Sequence, residues 1–173
     1  MTITLYNATI PTFLQILGSI NHLMDKAEAH MAEHGVTEED LLQARLAPNM
    51  QPLAYQIKCC AEHSRGAIEG VRAGVFIPQT ALPPQTFTDL RAYLAEATFF
   101  LAALDPAEVN GFAGQDMRFE WKDTRIPFTA EGFLFSFALP NFYFHATTAY
   151  DLLRHKGVKI GKMDFLGQMQ VRG

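Results

Sequence analysis

The sequence has no apolar run that approaches the roughly 20 residues needed to cross a bilayer. It contains only two cysteines, the adjacent Cys59 and Cys60, which excludes a secreted disulfide framework. Lysine and arginine are scattered and the formal net charge is −4, so a basic nucleic-acid-binding surface is excluded. The N-terminus lacks the basic start and long apolar core of a signal peptide. We therefore expect a cytoplasmic protein that binds neither nucleic acid nor membrane.

Length and composition are those of one globular domain, expected over residues 1–173. A chain of this length buries roughly 70% of its unfolded surface, so it needs neither a disulfide nor a metal to fold. Its 14 phenylalanines are many for its length, and they crowd between Phe87 and Phe165. This crowding predicts a large aromatic core or an apolar cavity.

Apolar residues recur at three- and four-residue spacing in four segments, which predicts four long helices. Prolines, capping residues and glycines mark where these helices begin and end. A capping box over residues 37–40 opens a short helix between the first two and continues through Leu46. The long helices are expected from Pro11 to Gly35, Pro52 to Gly74, Thr86 to Leu104 and Pro140 to His155.

The period changes between the third and fourth helices. Met117, Phe119 and Trp121 alternate with charged residues, and aromatic residues alternate again over 133–137. A period of two residues is typical of strands. The two segments therefore predict an antiparallel hairpin, and the expected fold is mainly α, a four-helix bundle with a β-hairpin inserted before the fourth helix.

Two short motifs suggest metal or redox chemistry. His30 and His34 match H-x-x-E-H, in which two histidines bind zinc and the glutamate acts as general base. The pair precedes Gly35 in the last helical turn, where the helix dipole favours histidine, so we expect no catalytic metal there. Cys59 and Cys60 diverge by about 100° on a helix and are interpreted as core residues, not a redox pair.

His145 falls on the apolar stripe of the fourth helix with Ala149 and Leu152. We expect it to be buried, to face the bundle interior and to bond to a group there, because a buried imidazole needs a partner. His63 lies at the edge of the second-helix stripe. A site between the two is possible if their helices pack together, since bundles hold metals with ligands from facing helices; the alternative is two unrelated histidines.

Two long segments carry a family resemblance. LPNFYFHATTAYDLLRHKGVKIGKMDFLG, from Leu139 onward, resembles the closing signature of an uncharacterised bacterial protein family. ARLAPNMQPLAYQIKCCAEHSRGAIEGV, from Ala44 onward, resembles its second-helix region. With the hairpin, the likeness covers nearly the whole chain. That family belongs with the DinB/YfiT-like bundles, a superfamily of proposed metalloenzymes, which implies four helices with an additional strand element.

Metal-binding members of the superfamily use one histidine of the second helix and two histidines four residues apart on the fourth. The resemblance assigns the first position to His63 and the second to His145, but the third falls on Ala149, which cannot bind metal. We therefore expect a degenerate or metal-free bundle that binds a small apolar or amphipathic ligand or acts as a homodimer. The alternative is a hydrolase or thiol transferase that uses zinc or nickel at the two histidines; no catalytic residue is assigned.

Overall fold

The computed structural model describes residues 3–171, which form nine α-helices and a three-stranded sheet. A π-helical segment, Glu62–Gly66, joins α3 to α4, and another, Leu134–Ala138, joins α7 to α8. No helix within this range is both long and apolar enough to cross a bilayer. The elements are α1 Leu5–His34, α2 Glu38–Leu42, α3 Leu53–Ala61, α4 Ala67–Ala73, β1 Val75–Phe76, α5 Phe87–Ala102, α6 Pro106–Asn110, β2 Asp116–Trp121, β3 Thr124–Thr129, α7 Ala130–Phe133, α8 Leu139–His155 and α9 Lys162–Leu166.

The predicted fold class, a mainly α bundle with a hairpin before the fourth helix, is confirmed. The four long helical runs are α1, α3 to α4, α5, and α7 to α8. Helix α1 packs against α5, α8 and α9, and α3 packs against α8 and α5. Phe13 and Phe142 meet edge to face in the core, with their ring centroids 4.9 Å apart. Complete burial of such a ring contributes on the order of 2 kcal/mol.

Local capping explains several helix ends. Helix α1 begins at Leu5, because the Thr4 hydroxyl accepts a hydrogen bond from the Asn7 N–H. The prediction that it begins at Pro11 was wrong: this proline lies inside the helix, where it removes one backbone hydrogen bond and its ring crowds the carbonyl four residues earlier. Gly35 ends the helix as predicted, in the left-handed conformation with φ of 67°.

Three other predicted capping residues also lie at helix ends. Thr37 forms the predicted capping box with Asp40, although α2 ends at Leu42, before the predicted Leu46. The Thr86 side chain caps α5, and Gly74 ends α4 with φ of 70°. Short polar side chains and glycines therefore set these boundaries through local hydrogen bonds and backbone freedom.

The hairpin consists of β2 and β3, joined by a two-residue turn at 122–123. Residues 133–137, predicted as the second strand, are helical instead. Phe133 and Phe137 are four residues apart, share a helix face and stack with ring centroids 5.2 Å apart. Pro127 is tolerated in β3 because this strand lies at the sheet edge and pairs only with β2. Strand β1, which the sequence did not predict, pairs in parallel with β2.

Candidate ligand-binding site

A cavity of about 810 Å³ lies between α3, the loop over residues 77–86, β2 and the run from residue 134 into α8. This volume is typical of sites for small organic molecules. Five aromatic side chains form much of its wall: Tyr55, Phe76, Phe119, Trp121 and Phe137. The predicted concentration of aromatic residues therefore forms both a core and one side of a cavity.

His63 and His145 face each other in this wall. Their rings are nearly parallel, with an interplanar angle of 10° and centroids 5.3 Å apart. The packing of α3 and its π-helical extension against α8 brings them together. A π-helical turn shifts the following side chains around the axis and frequently occurs at functional sites. The structure thus places the two histidines side by side, while their role as metal ligands stays a prediction.

A chain of hydrogen bonds orients His145. The buried side chain of Gln56 donates from Nε2 to the Gln51 carbonyl at 2.9 Å. Its Oε1 lies 2.7 Å from Nδ1 of His145, so this ring nitrogen must carry the proton and donate. The prediction that His145 bonds to an interior group is confirmed, although its side chain is half-buried. Sequence reasoning missed Gln56, whose only signal is a polar residue beside the apolar stripe of α3.

Burial lowers the pKa of both histidines. That of His145 falls from 6.5 to about 4 because the charged ring would lose its hydration. The pKa of His63 falls to about 3, first through burial and then through the nearby His145. Both rings are therefore neutral at pH 7. Nδ1 of His63 is buried and has no hydrogen-bond partner among residues 3–171, which is unusual for a polar atom in a protein interior.

A buried ion pair lies behind the cavity wall. Lys58 is 1% exposed, and its Nζ lies 2.7 Å from Oε1 of Glu62, a charge contact without hydrogen-bond alignment. The same Nζ donates to the Ala81 carbonyl at 2.7 Å, which ties the loop over residues 77–86 to α3. The pair therefore neutralises the carboxylate of Glu62, which lines the cavity, and holds the outer wall in place.

The two cysteines are buried thiols with raised pKa values. Both are buried and free, which confirms their interpretation as core residues. Burial, followed by the charge of Glu62, raises the pKa of Cys59 to about 12, and burial raises the pKa of Cys60. A thiol needs a lowered pKa to act as a nucleophile near neutral pH. Cys59 contributes only a small, soft surface to the cavity wall.

The donor set does not fit a three-ligand metal centre. Among residues 3–171 there is no group of three histidine, cysteine or acidic side chains that could hold a metal ion. Ala149, where the resemblance places the third ligand, is 1% exposed and part of the core. Glu62 is occupied by Lys58. Catalytic zinc sites have three protein ligands, so only the pair of His63 and His145 corresponds to such a site here.

The H-x-x-E-H pair lies away from the cavity, at the end of α1. His30 is buried, while the side chain of His34 is 41% exposed. Their rings stack with centroids 4.3 Å apart, and Nδ1 of His34 donates to the His30 carbonyl at 3.1 Å. These contacts are local to the helix end. The expectation that the pair holds no catalytic metal stays a prediction.

Comparison with known proteins establishes the family. The family model described as "Domain of unknown function (DUF1993)" matches residues 5–166. The chain belongs to the DUF1993 family. The crystal structure of a DinB family member from Shewanella denitrificans is similar over 98% of this chain and 95% of that one, with a TM-score of 0.82 and 29% identity. No curated protein matches the chain in sequence.

These matches confirm the resemblance to an uncharacterised family of DinB-like bundles. The similarity extends over the whole helical bundle and the hairpin. Neither the family description nor the solved structure names a reaction, and a fold does not by itself confer one.

Proposed function

We propose that this DUF1993 protein binds a small amphipathic molecule in the cavity and that the metal site of its superfamily is degenerate. The observation that carries the proposal is a wall in which aromatic rings surround two neutral imidazoles. Ligand sites are concave, mostly apolar and contain a few polar groups that fix orientation. His63 and His145, whose rings lie 5.3 Å apart between centroids, are those groups.

The apolar contribution comes from Phe76, Phe119 and Phe137. Phe119 lies 5.1 Å from Phe137 and 6.3 Å from Phe76 between ring centroids. An aromatic ligand that packs against such rings gains about 0.5–1.5 kcal/mol per pair beyond the area that it buries. Trp121, the single tryptophan of the chain, also lines the cavity and is 36% exposed, so it can report on occupancy.

The test uses p-cresol and toluene as probes. Their binding is measured from the fluorescence emission of Trp121 and from changes in amide chemical shifts. Saturable binding to the wild type, with shifts confined to the cavity, is expected. Phe119→Ala should weaken binding about fivefold, as loss of roughly 1 kcal/mol of aromatic contact implies. Phe99→Ala is the matched control, because Phe99 is 78% exposed and does not line this cavity. Failure of both probes to bind the wild type would refute the proposal.

A metal-dependent hydrolase or thiol transferase is the second candidate. The specific observation in its favour is the approach of His63 to His145, at 5.3 Å between ring centroids. A metal that binds only the folded state raises the melting temperature by mass action. Zinc or nickel should therefore stabilise the wild type, and His145→Ala and His63→Ala should both abolish the effect, if this second candidate is correct.

We also propose that the protein forms a homodimer through its bundle helices. Several aromatic side chains of the fourth helical run are exposed: Phe135 by 45%, Tyr143 by 40% and Phe144 by 54%. Large exposed aromatic residues favour association, and two-fold dimers are the commonest oligomers.

A further inference from the structure

We infer that the cavity selects an uncharged aromatic molecule that donates a hydrogen bond, from a hydroxyl or an N–H group, to Nε2 of His145. This inference rests on the proposed function and names the ligand class of the same site. It has three supports: the proton position on His145, the neutrality of the two histidines and the aromatic surfaces beside the ring.

The proton position follows from hydrogen-bond direction. A backbone carbonyl can only accept, so Gln51 O receives the hydrogen bond from Nε2 of Gln56 at 2.9 Å. That contact places the amide oxygen of Gln56 toward His145, and an oxygen can only accept from the ring. The proton of His145 therefore lies on Nδ1. Because a neutral imidazole carries one N–H, Nε2 has a free lone pair and acts as an acceptor.

Burial of Gln56 and His145 keeps the proton on Nδ1 of His145. Gln56 is 2% exposed, so water does not compete for its amide. Burial lowers the pKa of His145 to about 4, which leaves the ring uncharged and Nε2 unprotonated at physiological pH. A ligand that offers only a carbonyl or ether oxygen would place two acceptors face to face. A ligand that donates makes a bond that the protein does not supply.

The charges around the cavity disfavour an ionised ligand beside the two histidines. Among the described residues of its lining, Arg45 and Glu62 are the charged side chains. Glu62 is paired with Lys58, while Arg45 is exposed and bonds to the Met50 carbonyl. An ion held beside the two neutral histidines would therefore lose hydration, which is costly. The guanidinium of Arg45, which pairs with no acidic side chain among residues 3–171, could offset that loss for an anion only at the exposed side of the cavity.

The aromatic surfaces favour a planar ligand. His145 lies within 6.1 Å of Tyr55 and 5.3 Å of His63 between ring centroids, and His63 in turn stacks on Phe76 at 5.9 Å. Flat groups on several sides leave room for a ring more readily than for a branched aliphatic chain. A phenol, an indole or an aromatic amine combines this shape with a donor.

Three probes of similar shape test the inference by calorimetry and NMR titration: p-cresol, which donates; 4-methylanisole, which cannot; and 4-methylbenzoate, which is charged. We expect p-cresol to bind about five- to tenfold more tightly than 4-methylanisole, because one additional hydrogen bond changes affinity by about this factor. The anion should bind more weakly than either. His145→Phe should remove the preference for p-cresol while 4-methylanisole still binds.

Gln56→Leu supplies a second test. It removes the acceptor at Nδ1, so the proton can occupy Nε2 and the preference for p-cresol over 4-methylanisole should fall or reverse. Nitrogen-15 spectra of the wild-type histidines need no variant: Nδ1 of His145 should be protonated, Nε2 unprotonated, and p-cresol should shift Nε2.

Different results would overturn the ligand class and the proposed function. Equal affinity for p-cresol and 4-methylanisole, or a protonated Nε2 in the wild type, would overturn the ligand class and leave the proposed function standing. If none of the three probes binds while toluene does, the ligand class is overturned; if toluene also fails to bind, the proposed function is overturned with it.

Discussion

Lowering the pH from 7 to 5 should destabilise this protein mainly through two histidines. The pKa values of His63 and His145 are about 3 and about 4 in the folded state, against about 6.5 unfolded. Between these values the unfolded chain binds more protons, so the free energy of unfolding falls as the pH falls. The pH of 5 is about 1.5 units below the unfolded pKa. At this pH each ring therefore lowers the free energy of unfolding by about 2 kcal/mol, and the two rings lower it by about 4 kcal/mol together.

Other groups titrate outside this window. Hydrogen bonds lower the pKa of Asp40, Glu120, Glu131 and Asp164, so their contributions to stability are lost only as the pH falls below about 4. The predicted loss is a large part of the 5–15 kcal/mol that stabilises most domains. It should therefore be plain in equilibrium unfolding.

Urea unfolding at pH 7 and pH 5, followed by circular dichroism, measures the effect. His145→Gln keeps a hydrogen-bonding side chain but cannot titrate, so its loss of stability between the two pH values should be about 2 kcal/mol smaller than that of the wild type. His155→Gln, at an exposed position on the same helix, is the matched control and should behave as the wild type. An equal pH dependence in wild type and His145→Gln would refute the reasoning.

Four other changes or measurements have defined expected results. His145→Ala should cost about 1–3 kcal/mol of unfolding free energy, because its glutamine partner loses its donor, and His145→Gln should restore part of it; urea unfolding measures both. Lys58→Ala should cost about 3 kcal/mol or more by leaving a buried carboxylate unpaired, whereas Lys159→Ala, in an exposed pair with Glu33, should cost less than about 1 kcal/mol. Replacing His30 and His34 together with alanine should leave metal content unchanged, and loss of stoichiometric zinc would contradict this. Light scattering should give a dimer mass, and a value near 19.3 kDa would count against the homodimer.

Local signals sufficed for most of the helices. Gly35 and the capping box at Thr37 end and begin helices through contacts within a few residues, so their effect is readable from the chain itself. The alternation over 133–137 was ambiguous, because Phe133 and Phe137 also satisfy the four-residue spacing of a helix. Tertiary packing of those rings decided between strand and helix, and the sequence alone does not contain that packing.

The site was predictable only in part. The apolar stripes of the second and fourth helices indicated that His63 and His145 can meet, and they do. The roles of Gln56 and of the pair Lys58–Glu62 depend on contacts with other elements and on burial. The π-helical turn beneath His63 has no recognisable sequence signal, since helix propensity does not distinguish it from an α-helical turn.

A crystal structure of the protein with p-cresol tests the central claim most directly. We expect one p-cresol molecule in the cavity, with its ring packed against Phe119 and Phe137. Its hydroxyl should lie within hydrogen-bond distance of Nε2 of His145. The contrary result is a crystal at saturating p-cresol in which the cavity is fully formed but p-cresol lies only on other surfaces. That result would contradict the claim that this cavity is a ligand-binding site.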